Sequence, residues 1–212
     1  LADITSSLSV INQQNIATVQ AEHINQVVSR VPGAWISRGN GQEHLTAIRS
    51  PVLTGAGGCG AFFMAQDGIS VRAPGFCNTN QLFDLNTEQA GRIEVVRGPA
   101  SVFYGSNAVH GVINVLTPDT STLPAASLSL ESGENDYLRA KLALSNTGQT
   151  HSFALLANGT HDGGYKDFSG YDQQKINLIH HYQGQDISVK NVLAVSNLNQ
   201  ETAGFIRGFE AY

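Results

Sequence analysis

The chain has 212 residues, of which 41% are apolar and only 14% charged, with a net charge of −5 and 22 glycines. This length admits one domain, or one domain and part of another. The acidic balance and the lack of a basic run exclude a nucleic-acid partner, and no apolar run approaches the ~20 residues that a membrane helix requires.

Residue 1 is leucine, not an initiating methionine, and no export signal precedes it, so the chain reads as a mature or trimmed product. Residues 6–12 alternate Leu8 and Val10 against polar neighbours, as a strand does. Thr18 is placed to cap a helix through Ala21, Ile24, Val27, Val28 and Val31, which Pro32-Gly33 ends. Trp35 and Ile36 open a second strand, and residues 45–49 form a third. Residues 62–65 are a strand turned by Asp67-Gly68 into a hairpin partner over 69–72. Residues 82–88 are short and helical or irregular. Then RIEVVRGPASVFYG over 92–105 alternates as a strand, breaks at Gly98-Pro99, makes a short turn or helix at 101–104 and stops at Gly105. GVINVLTP over 111–118 is again β-branched, and Thr117-Pro118 closes it.

Residues 119–126 are a polar linker, and the texture then changes. Leu128 and Leu130 alternate with serines. Leu138, Ala140, Leu142 and Leu144 alternate with Arg139, Lys141, Ala143 and Ser145. Further strands are expected over 152–161, 174–182 and 187–195, joined alternately by tight and longer turns. Segments of ~10 alternating residues are the pattern of a transmembrane β-barrel, with one face to lipid and one to the lumen. An antiparallel meander on a soluble core has the same period.

The long ordered match over 92–118, preceded by a strand, a helix, Pro32-Gly33 and another strand, resembles the signature of the plug domain of TonB-dependent outer-membrane receptors. The resemblance runs from about residue 4 to 118. It implies an α+β plug (a small mixed sheet with short helices) over 1–118, the linker over 119–126, and over 127–212 the first antiparallel strands of a transmembrane β-barrel left incomplete. Barrels of this family have about 22 strands, so the chain would be a fragment, and its open sheet would favour a dimer or a swapped sheet.

The resemblance implies a ligand-gated transport receptor of the Gram-negative outer membrane, not an enzyme and with no cofactor. The TonB complex would pull on a box upstream of Leu1 while the plug, exposed to the periplasm, occludes the pore. The default ligand is an extracellular ferric siderophore or similar scarce metal chelate, with haem, cobalamin and oligosaccharides as alternatives. Plug loops that point outward in the family make Gly57, Gly58, Arg72, Phe76, Asn78 and Asn80 the candidate ligand residues. Family arginines in "Ile-Arg-Gly" and "Arg-Gly-Pro" contexts lock plug to barrel by gripping glutamates bidentately. Arg49 and Arg97 occupy these places, although Ser50 stands where glycine belongs, and the glutamates would lie beyond Tyr212.

Cys59 and Cys77, 18 positions apart, are either two buried thiols or one disulfide, worth about 3 kcal/mol by loop closure. An exported location favours the disulfide. With His44 they lack the fourth ligand of a zinc site, and no other metal set stands out. His180 and His181 fall on opposite faces of one strand. The run 55–60 fits G-x-G-x-x-G literally, but the hairpin over 62–72 leaves no room for the crossover helix of a nucleotide fold. Two other classes remain: a ligand-sensing module without transport and, remotely, a nucleotide-binding enzyme.

Overall fold

A computed structural model of the chain describes residues 7–51, 61–72 and 80–202. Its first half holds β1 (Ser7–Asn12), α1 (Gln13–Val19), α2 (Ile24–Val28), β2 (Ala34–Arg38), β3 (His44–Ile48), β4 (Phe62–Gln66), β5 (Ile69–Ser70), β6 (Arg92–Arg97), α3 (Ser101–Tyr104) and β7 (Gly111–Leu116). Five of these strands form one mixed sheet in the order β1-β6-β7-β4-β5, with β4 and β7 parallel. β2 and β3 form a separate hairpin.

The apolar character of β7, broken only by the buried Asn114, is explained by burial on both faces. Ile113 and Val115 join Ile93, Val95, Leu82 and the α2 residues Val27 and Val28 in the main core. Val112 packs on the other face with Val96, Ala100 and Ala108. Gly98, at φ 112°, makes the break that the Gly-Pro pair predicts. Gly111 opens β7 where a Cβ would stand 2.6 Å from the Val96 carbonyl oxygen and 2.8 Å from Ile48 Cδ1.

One sequence expectation is corrected. The helix predicted from Thr18 to Val31 is two helices. Asn12 caps α1, its side chain accepting from the Asn15 amide at 2.8 Å, and Gln20 in the left-handed region (φ 47°) ends it. Thr18 lies inside α1 and donates to the Gln14 carbonyl. His23 caps α2, reciprocated by Gln26 in a capping box. The break at 20–23 folds α2 back so that its valines reach the sheet.

The second half is an antiparallel meander of β8 (Ala126–Ser132), β9 (Leu138–Thr147), β10 (His151–Asp162), β11 (Tyr171–Gln183) and β12 (Ser188–Gln200), paired in chain order. Among the described residues β8 and β12 are its two edges, so the sheet they form is open. Burial alternates along β10 and β11: in β11, Tyr171, Gln173, Lys175, Asn177 and Ile179 are buried while Gln174, Ile176 and Leu178 are exposed. The buried face carries most of the polar residues and lies against the N-terminal half. The exposed face is the apolar one.

Candidate functional site

The inner face of the meander is a set of hydrogen-bonding groups aimed at the N-terminal half. Its period of two puts Arg139 and Lys141 of β9, Asn158 of β10, Lys175 of β11 and Lys190 of β12 on this face. Lys141, Asn158 and Lys175 stand side by side across three strands. Lys175 Nζ meets both carboxylate oxygens of Glu88 at 2.9 and 3.1 Å, and both side chains are buried. Glu88 sits in a 3-10 turn, Thr87–Gln89, whose Gln89 donates to the Leu142 carbonyl at 2.9 Å.

Arg139 is 1% exposed. Its guanidinium donates to the Gln20 carbonyl at 2.8 Å and to the Ala21 carbonyl, at the C-terminal end of α1 where unpaired carbonyls and a partial negative charge gather. The remaining N–H groups reach Glu131, which Lys141 also holds at 2.7 Å. A buried cation is tolerable only when paired and hydrogen-bonded, and Arg139 meets both conditions.

Four further contacts complete the grip. Gln173 donates to the Phe83 carbonyl at 2.9 Å. Ser196 donates to Asp84 at 3.0 Å. Gln200 accepts from the Gln42 amide at 3.1 Å. Lys190 pairs with Asp67, whose carboxylate also takes the Thr117 N–H and hydroxyl at 3.0 and 2.7 Å. Behind this interface lie two buried histidines, His23 and His44, with ring centroids 5.8 Å apart. Burial pushes both down to about 4, so both are neutral at pH 7.

These contacts tie helix ends, turns and one hairpin tip of the first half to the polar face of an amphipathic sheet. The geometry is that of a small domain seated against the inside of a barrel wall. A family model described as TonB-dependent Receptor Plug Domain matches residues 1–112. The chain belongs to the TonB-dependent receptors. It is 28% identical over 190 residues to the vitamin B12 transporter BtuB of Vibrio vulnificus strain CMCP6, covering 88% of this chain and 29% of that protein. Among solved structures it shares its fold with the copper transporter OprC (TM-score 0.73, 15% identity, 94% of this chain and 32% of that one). It does so also with the ferric yersiniabactin uptake receptor FyuA from Yersinia pestis (TM-score 0.69, 18% identity, 91% and 31%). The chain thus spans about a third of the length of these relatives. They are transporters and receptors rather than enzymes, and the chain is placed with them in the outer membrane.

The plug and wall also locate the residues singled out from the sequence. Arg49 and Arg97 flank the Pro32-Gly33 turn. Arg97 donates to the Pro32 carbonyl at 2.6 Å, Arg49 donates to the Ser7 hydroxyl at 3.4 Å, and a methyl at Gly33 would touch both side chains. Neither forms an ion pair among the described residues, and Arg97 Nε is buried without a partner there. The left-handed position of this strand end is Arg49 itself, at φ 50°, so serine at 50 stands outside the strained position. Asn80 accepts from the His44 amide at 2.6 Å, which fixes it to β3. Arg72 is exposed. Gly57, Gly58, Cys59, Phe76, Cys77 and Asn78 lie outside the described residues, as does the glycine run over 55–60.

Sequence reasoning passed over Glu88, Arg139, Lys175 and Lys190. The signal was present in the phase of the strands. Three of these are cations at inward positions, and a cation on a barrel's inner face needs a carboxylate or carbonyl within reach.

Proposed function

We propose that this chain is the plug and opening wall of a ligand-gated, TonB-energised transport receptor, divided as plug 1–118, linker 119–126 and wall 127–212. The observation that carries the reading is the seating of the plug: charged plug and wall groups satisfy one another inside, and the apolar side chains of the same strands point outward. Such a plug closes a pore until something weakens its contacts with the wall, a two-state element of the switching kind. The proposed ligand is a ferric siderophore or similar scarce metal chelate, held in part by Arg72 and Asn80 with Gly57, Gly58, Phe76 and Asn78. Arg49 and Arg97 are proposed to grip glutamates of the remaining wall, and Cys59 and Cys77 to form a disulfide. Cobalamin is the second ligand, because the relative at 28% identity is named a vitamin B12 transporter.

Uptake of radiolabelled ferric siderophores and cobalamin by cells that do or do not produce the receptor tests this reading. Saturable uptake of one ligand, abolished by a protonophore, supports it. Binding without uptake would replace transport by sensing. Neither binding nor uptake of any metal chelate would overturn the ligand class.

A further inference from the structure

The strand register arranges the outer face of β8–β12 into rows. Two neighbouring rows are wholly apolar: Ala126, Leu144, Leu155, Leu178 and Leu193, then Leu128, Leu142, Ala157, Ile176 and Val195. On both sides the following rows are mixed and carry polar side chains. Towards the longer turns stands His161 with Asp172 and Asn199, and towards the tight turns stand His180 with Asn191 and His151 with Tyr182. From His151 to His161 is ten residues, about 33 Å along a strand and about 25 Å along the membrane normal at the usual tilt. The two histidine rows therefore fall at the two levels where lipid headgroups begin.

The rows differ in chemistry. His161 is satisfied within the protein by Asp172 at 2.8 Å. At the tight-turn end, Asn191 Nδ2 lies 3.3 Å from His180 Nδ1, and His180 Nε2 lies 3.0 Å from His151 Nδ1. With Asn191 donating, His180 Nδ1 must be the bare nitrogen and Nε2 must carry the proton. His151 Nδ1 then accepts, so His151 Nε2 carries an N–H. Ring contacts hold the row in place: Phe153 stacks on His180 at 4.6 Å, the His151 and His180 rings lie nearly parallel at 5.3 Å, and Tyr182 meets His151 at 5.1 Å in a tilted contact. No hydrogen bond within the described residues engages His151 Nε2.

We propose that this row is a binding site for the phosphodiester of a glycerophospholipid in the membrane leaflet on the tight-turn side. The His151 N–H donates to a phosphate oxygen, the Tyr182 hydroxyl lies at the same level, and the acyl chains lie over the two apolar rows that hold Leu155, Leu178 and Leu193, then Ile176 and Val195. Tight turns face the periplasm in such barrels, which makes this the inner leaflet. The site rests on reading β8–β12 as a lipid-facing wall.

The test is native mass spectrometry of the receptor extracted from outer membranes, titrated in micelles with phosphatidylglycerol or with a phosphate-free galactosyl diacylglycerol. The wild type should retain the phospholipid in preference. His151→Phe, which keeps the stacked ring, should lower that retention about tenfold, the size of one hydrogen bond to a charged group. His151→Gln, which keeps an N–H, should restore most of it. His180→Phe should weaken retention by losing the proton order. Equal retention of both lipids, or of phospholipid by His151→Phe, overturns the site and leaves the wall standing. Full competition by millimolar inorganic phosphate overturns the lipid assignment. Retention of neither lipid by the wild type would count against the lipid-facing wall itself.

Discussion

Lys175 of the wall and Glu88 of the plug face one another at 2.9 Å, with side-chain exposures of 2% and 8%. The pair joins positions 87 residues apart and lies between two bodies that the proposed cycle must loosen. Breaking one partner of such a pair strands a buried charge at a cost of about 3–5 kcal/mol, whereas replacing both by apolar groups is close to neutral. Lys175→Met and Glu88→Gln should therefore each sensitise the plug to protease and lower its urea midpoint. Glu88→Leu combined with Lys175→Met should recover most of the loss. Single variants within ~0.5 kcal/mol of wild type would show that the pair does not hold the plug.

Arg139 acts on the plug differently, through backbone carbonyls at the end of α1. Arg139→Met removes the donors to Gln20 and Ala21 but leaves Glu131 to Lys141, its partner at 2.7 Å. The expected loss is about 1–3 kcal/mol, that of carbonyls left unsatisfied, read locally as faster amide exchange over α1. Exchange that rises uniformly across the plug would instead mean that Arg139 supports the wall as a whole.

The β-strands of the wall were legible because a half-buried strand writes its faces at a period of two, and β9 does so from Leu138 to Ser145 with Ala143 the one apolar residue on its inner face. The unit from β6 to β7 was legible because Gly98-Pro99 and Gly105 punctuate it. The split between α1 and α2 was not, since it depends on Gln20 taking a left-handed conformation that its residue type does not announce. Arg139, whose side chain lies on Gln20 and Ala21, comes from 118 residues downstream. The partners of Lys175 and Arg139 were hidden for the same reason: the phase of a strand gives the side on which a charge lies, while its partner is set by how two bodies dock.

His23 and His44 make the plug sensitive to acid. Both folded values lie near 4, below the ordinary 6.5, so the unfolded chain binds more protons between these two pH values. Their contribution is complete above about pH 6.5 and is lost as pH falls towards 4, by up to about 3 kcal/mol for each. Urea midpoints should fall between pH 7 and pH 5. His23→Asn, which keeps a good helix cap, combined with His44→Gln, should flatten that slope. An unchanged slope in the double variant would assign the acid sensitivity to other groups.

Gly111 is the test of close packing inside the plug. A Cβ there would stand 2.6 Å from the Val96 carbonyl oxygen, a backbone atom in the paired strand that has nowhere to retreat, and 2.8 Å from Ile48 Cδ1. Ile48 is fully buried, so its methyl cannot swing away without disturbing the core. Gly111→Ala should therefore cost about 1–3 kcal/mol, the usual size of overpacking. Gly159 is the internal control, because a Cβ there meets nothing within 4 Å on the outer face of β10. Gly159→Ala should be neutral or slightly stabilising, since alanine loses less backbone entropy than glycine on folding. Equal urea midpoints for the two variants would mean that β6 and β7 yield at this point, and that the junction between them is looser than its contacts imply.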